Sequence, residues 1–175
     1  MKLLVIDVQT AIYTPELFHY HVFTETLKML LETARQTGTE VLYLRHNDGA
    51  GAPLSPGHPG FAIAAPFAPE KGERVFDKTV NSPFRSSGLL QYLRTCRETE
   101  LIVTGLQTEY CVDAAVKCGF EHGFRMIVPA YANTTLDNPH LTAEQTYRYY
   151  NEFIWNRRYA ECIPAGETVV RMEQT

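Results

Sequence analysis

Short apolar runs recur along the chain, and between them apolar side chains return every third or fourth residue. Lys2-Leu-Leu-Val-Ile-Asp-Val8 opens the series. Continuous apolar runs of this length fit parallel strands covered on both faces. Leu27, Leu30, Leu31 and Ala34 fall at i, i+3, i+4 and i+7, which predicts a helix over 23–37 stopped by Gly38. Strands are predicted at 40–46, at 73–78 and, from Leu101-Ile-Val103, up to the break at Gly105. Leu89, Leu90 and Leu93 mark a helix between the last two. Thr108 is placed to cap the following helix with its hydroxyl, which presents Val112, Ala115, Val116 and Phe120 to the sheet and ends at Gly123. A fifth strand covers 125–129. Thr142-Ala-Glu-Gln145 is a capping-box pattern opening a helix with Tyr147, Tyr150 and Ile154 on one face. Ala160–Pro164 is a sixth, edge strand, since Pro164 lacks a ladder donor. Polar residues from Arg171 to Thr175 are expected to fray. The alternation predicts one α/β domain over 1–175, with a parallel sheet and helices on both faces.

One segment breaks the rhythm. Five prolines and five glycines crowd residues 47–72, yet Phe61, Ile63 and Phe67 argue against disorder. This segment is expected to border the active site or to form a subunit contact.

Composition narrows the classes. The 175 residues suffice for one full core. A net charge of −4 and the absence of a Lys/Arg run make nucleic acid and anionic membrane unsuitable partners. The opening apolar run is too short for a signal peptide, and no segment approaches a membrane span. The four cysteines, Cys96, Cys111, Cys118 and Cys162, therefore read as reduced cytoplasmic thiols. Cys111 and Cys118 would be separated by about 10 Å of helical rise, beyond disulfide reach. No C-x-x-C, G-x-G-x-x-G, Walker loop or G-x-S-x-G occurs.

Asp7, His46, Lys78 and Cys111 fall at the C-terminal ends of predicted strands, the edge where open α/β sheets bind ligands. Cys111 lies in the first turn of its helix, where unpaired N–H groups and the helix dipole favour a thiolate. Asp7 is placed to take the thiol proton and return it to a leaving amine. Lys78 is placed to hold both anions. The backbone N–H groups of Gln107 and Cys111 are candidate oxyanion donors. Tyr13, Phe84, Tyr110 and Trp155 are candidates for an aromatic rim, with Trp155 equally suited to the core; Gln9 and His46 are polar candidates for the pocket wall. Taken singly, each of the three reactive residues has a plainer reading: a loop-capping Asp7, a solvated Lys78, a small buried Cys111.

Three pieces of the chain resemble the isochorismatase-like cysteine hydrolase family: Leu4-Val-Ile-Asp-Val-Gln9, Asp77-Lys-Thr-Val-Asn-Ser-Pro-Phe84, and Val103-Thr-Gly-Leu-Gln-Thr-Glu-Tyr-Cys-Val112. The resemblance implies a three-layer α/β/α sandwich with a mainly parallel five- or six-stranded sheet. It implies an Asp7–Lys78–Cys111 triad and a non-proline cis peptide joining Leu106 and Gln107. Its members that keep the cysteine cleave amides, so a small carboxamide substrate and a thioester intermediate are expected, with no cofactor. His46-Asn47-Asp48 reverses the Asp-x-His order of the family's metal-binding members, so no metal is expected. A homodimer or higher homo-oligomer is expected from the resemblance alone. The alternatives are a vinyl-ether hydrolase that uses Asp7 and leaves Cys111 a bystander, and a flavodoxin-like binding module without turnover.

Overall fold

The computed structural model describes residues 1–174. Seven strands form one sheet: β1 (Lys2–Ile6), β2 (Glu40–His46), β3 (Arg74–Lys78), β4 (Glu100–Leu106), β5 (Arg125–Pro129), β6 (Asn133–Thr134) and β7 (Glu161–Ile163). Their order is β3-β2-β1-β4-β5-β7, and every pairing is parallel. The two-residue β6 is additional to the expected strands. It pairs with Gly105 and Leu106 at the end of β4, beyond the point where β5 stops.

The helices are α1 (Tyr20–Thr37), α2 (Leu89–Thr95), α3 (Asp113–Glu121), α4 (Ala143–Arg148) and α5 (Ala165–Glu173). Side chains of a strand alternate between faces. Leu3 and Val5 thus join the layer of α1 and α5, with Leu27, Leu30, Leu31 and Met172. Leu4 and Ile6 join the layer of α2 and α3, with Leu89, Leu93, Val112 and Val116. All four β1 side chains are essentially inaccessible, and each contributes about 1.5–3 kcal/mol by leaving water.

Several local expectations are corrected. Thr108 does not cap; its hydroxyl donates instead to Asn133 Oδ1 at 2.8 Å, and residues Thr108–Val112 form a π-helical turn. Phe120 is 44% exposed, its ring meeting Tyr159 edge-on, while Val112, Ala115, Val116 and Gly119 are among the buried positions of this turn and helix. Arg171–Glu173 belong to α5 rather than fraying. Thr168 and Met172 bury one side of that helix, and Arg171 donates to Glu161 and Glu167. Thr175 lies outside the described residues. The capping box of α4 is formed, with Thr142 and Gln145 satisfying each other's backbone.

Gly105 shows how tightly the sheet closes around the site. Its φ is +121°, and a Cβ there would sit 2.0 Å from the Ile6 carbonyl oxygen of β1. Gly105→Ala is expected to cost more than about 4 kcal/mol. Differential scanning calorimetry should then record a Tm lowered by upwards of about 8 °C.

Candidate active site

Because all strands run in parallel, the ends of β1, β2, β3 and β4 open on one edge of the sheet. Asp7 follows β1 in a left-handed conformation (φ 51°), with its N–H donating to the Leu44 carbonyl at 2.9 Å. Aspartate tolerates that region better than most residues, and the turn it makes directs the carboxylate under the loop ends. His46 and Lys78 close β2 and β3 as register partners. Cys111 sits in the π-helical turn that follows β4. The Leu106–Gln107 peptide between β4 and that turn is cis.

Lys78 is the centre of the cluster. Its Nζ donates to Asp7 Oδ2 at 2.6 Å and to Cys111 Sγ at 3.2 Å, and lies 3.0 Å from His46 Nδ1. An ammonium has three N–H donors, so these three partners account for all of them. His46 Nδ1 accepts, and its Nε2 faces Asp48 Oδ1 at 3.0 Å. Asp7, Lys78 and Cys111 are 1%, 2% and 8% exposed. Asp7 Oδ1 is buried without a hydrogen-bond partner. Within the Asp7–Lys78–Cys111 cluster it is the carboxylate oxygen left to receive a proton.

Burial sets the protonation states. The Cys111 thiol is pushed up to about 12, first by desolvation, then by the Asp7 charge, with Lys78 opposing both. The low thiol pKa expected at a helix entrance is therefore corrected. The turn is π-helical, the sulfur is enclosed, and a carboxylate stands beside it. Desolvation also raises Asp7 above its ordinary 3.8, against the pull of Lys78. Because the Asp7 charge raises the thiol, Asp7→Asn is expected to lower the Cys111 pKa from about 12. The pH dependence of iodoacetamide labelling measures it. Turnover should nonetheless fall, by about 10²–10⁴-fold, since the proton acceptor is gone.

Asp7, His46 and Cys111 each offer a ligand atom, all within 4.8 Å of one another. The Lys78 ammonium already fills the space between them, so a metal ion there would have to displace an ion-paired cation.

A cavity of about 140 Å³ opens onto the sulfur, lined by Asp7, Ile12, His46, Leu54, Asn81, Leu106, Gln107, Tyr110 and Cys111. Of the expected pocket residues, His46, Gln107 and Tyr110 are there. Gln9 is not. It is fully buried, donating to the His46 and Phe61 carbonyls and accepting from His46 N–H, so it pins the 47–72 segment to the end of β2. Tyr13 packs on Tyr20 and Phe67 and shares a 2.6 Å hydrogen bond with Thr24. Phe84 stacks on Phe124 within the α2–α3 layer. Trp155 is inaccessible, its indole N–H donating to Asp113 at 2.8 Å. Phe84 and Trp155 belong to the core, and Tyr13 is half-buried against it, because large apolar area is buried wherever a layer closes. Ile12, Leu54 and Asn81 were missed. Asn81, 3.7 Å from the sulfur, stands three residues after Lys78, and that spacing was a usable signal. Leu54 reaches the cavity only through the folding of its segment, which is thereby a pocket wall.

The turn at Gln107 is held from both sides by β6. Leu106 pairs with Thr134 in the sheet, while Thr108 bonds Asn133, whose amide exchanges hydrogen bonds with Asn151 at 2.9 and 3.1 Å.

Comparison with known proteins agrees with this layout. Residues 2–154 match the isochorismatase domain model. Streptothricin hydrolase of Streptomyces noursei is 34% identical over 142 residues, 78% of this chain and 50% of that protein. The chain spans about half the length of the first curated relatives it matches. An isochorismatase-family structure from Chromobacterium violaceum superposes with a TM-score of 0.92 at 25% identity, over 99% of this chain and 93% of that one. N-carbamoylsarcosine amidase from Thermoplasma acidophilum shares the fold, with a TM-score of 0.77 at 20% identity, covering 94% and 97% of the two chains. With its parallel sheet, its matched domain and these relatives, the chain belongs to the isochorismatase-like cysteine hydrolase family.

Proposed function

We propose that the protein hydrolyses a small carboxamide through a thioester on Cys111, without a metal ion. The observation that carries this reading is the unpartnered Asp7 Oδ1 beside a thiol held at the mouth of a cavity. A sulfur that were a bystander would need no proton acceptor. In the proposed cycle Asp7 takes the Cys111 proton as the sulfur attacks the carbonyl carbon, and Lys78 holds the emerging charge on sulfur. The carbonyl oxygen gathers negative charge against the backbone N–H groups of Gln107 and Cys111. Collapse expels ammonia or an amine, which takes its proton from Asp7. Water, deprotonated by Asp7, then releases the acid and restores the thiol.

A resting thiol with a high pKa fits this sequence. The proton moves only when substrate arrives, so the pair is primed without an exposed thiolate. Two features favour an organic substrate alone: the ammonium fills the space between the candidate metal ligands, and all three of its donors are engaged. The amidase fold neighbour is consistent with the reaction. Substrate lining, single-domain organisation over 1–175, cytoplasmic residence and homo-oligomerisation belong to the same proposal. Among the described residues no helix is long and apolar enough to cross a membrane.

The test is a panel of small amides assayed for ammonia release, with acid-quenched protein analysed by intact mass spectrometry. An acyl adduct on Cys111, lost in Cys111→Ala, is the expected result. Ammonia release that survives Cys111→Ala would rule out the thioester, and a panel without ammonia release or adduct would turn the reading to the vinyl-ether type of chemistry.

A further inference from the structure

The charges around the cavity say what it will not accept. We infer that the acyl half of the substrate is small and uncharged, so the protein takes neutral carboxamides and rejects those whose acyl group carries a carboxylate. This deepens the amidase reading and rests on it for the bond that is broken.

Three observations lead there. First, among the described residues Lys78 is the only Lys or Arg in contact with the sulfur, and its three N–H donors are spent on Asp7, His46 and Cys111. A substrate carboxylate could win one only by breaking a buried hydrogen bond. Second, the remaining lining offers no positive group. Ile12, Leu54 and Leu106 are apolar, Asn81 and Gln107 bring neutral amides, and Tyr110 a phenol. His46 turns its Nε2 side to Asp48, which already supplies the carboxylate there. Third, the formal charges of Asp7 and Lys78 cancel. Ionising the sulfur, or counting Asp48, then makes the local field negative. An anion entering this space loses hydration and gains no positively charged partner. At about 140 Å³ the cavity also lies well below the roughly 300–1,000 Å³ of drug-sized sites.

Iodoacetamide and iodoacetate test this directly, since they are nearly the same size and differ in charge. Both alkylate thiols: the sulfur displaces iodide and the thiol proton is lost. Cys96 is exposed and serves as an internal reference within the same protein. Peptide mass spectrometry gives the rate of each reagent at each cysteine. The ratio of iodoacetamide to iodoacetate rates is expected to be at least about 10-fold larger at Cys111 than at Cys96, a difference of about 1.4 kcal/mol. Tyr110→Arg puts a cation at the exposed rim. It should bring the Cys111 ratio back toward the Cys96 value by accelerating iodoacetate. A Cys111 ratio equal to or below that of Cys96 would overturn the inference. Because labelling needs no turnover, that result leaves the amidase reading standing. Conversely, absence of an acyl adduct would remove the amidase reading while the charge preference remained measurable.

Discussion

Cys111→Ala is expected to abolish amide hydrolysis, with kcat/KM falling by at least about 10⁴-fold. The loss is this large because no other thiol and no Ser or Thr hydroxyl lines the cavity among the described residues. The Asp7–Lys78 pair remains, and it has nothing to deprotonate except water. Fold and ligand capacity should be kept. The sulfur is small and its pocket is open to solvent on one side, and Lys78, though it loses one of its three acceptors, still has Asp7 and His46. Substrate should therefore still bind, seen by calorimetric titration, while turnover disappears. A variant that kept a tenth of the wild-type rate would show that the sulfur forms no bond in the reaction.

Lys78→Met should do two things at once. Turnover is expected to fall by about 10²–10³-fold, because the anionic sulfur and the Asp7 carboxylate lose their shared cation. Stability is expected to fall by about 3–5 kcal/mol, because a carboxylate that is 1% exposed is left uncompensated. The two effects separate with pH. In the variant, the lowering effect of Lys78 on Asp7 is gone, so the folded pKa of Asp7 rises further above 3.8. A group raised in the folded state contributes its stability below the unfolded pKa and loses it as pH climbs through the folded value. The variant should therefore lie closest to wild type in acid and fall furthest behind at neutral pH. Denaturant unfolding from pH 4 to 8 measures this. The double variant Lys78→Met/Asp7→Asn should recover much of the neutral-pH loss without recovering activity. A destabilisation that did not change with pH would mean that Lys78 matters for packing rather than for charge.

The two replacements probe different steps of the same cluster, and their contrast clarifies why burial serves the chemistry. Water excluded from the cluster strengthens each charge contact. It also raises the thiol, so the sulfur keeps its proton until substrate arrives, while Lys78 opposes the rise of Asp7. The proposed reaction uses that balance: one proton passes between Cys111 and Asp7 while Lys78 keeps the pair tied together.

Much of this was legible in the residues. The apolar runs at 2–8, 40–46 and 101–103, and the helical stripe through Leu27 and Ala34, are local patterns that depend only on side-chain period. They determine a parallel α/β sheet, and a parallel sheet necessarily gathers the ends of its strands on one edge. Asp7, Lys78 and Cys111 could be brought together on paper for that reason alone. Tertiary structure decided what period cannot encode. It turned Gln9 inward as a strut, sent Phe84 and Trp155 into the core, packed Tyr13 against it, and left Tyr110 at the cavity. It also docked α5 through Thr168 and Met172, and reversed the sign of the thiol's pKa shift. Burial and charge at a site are sums over neighbours distant in the chain, so they exist only once the layers have closed.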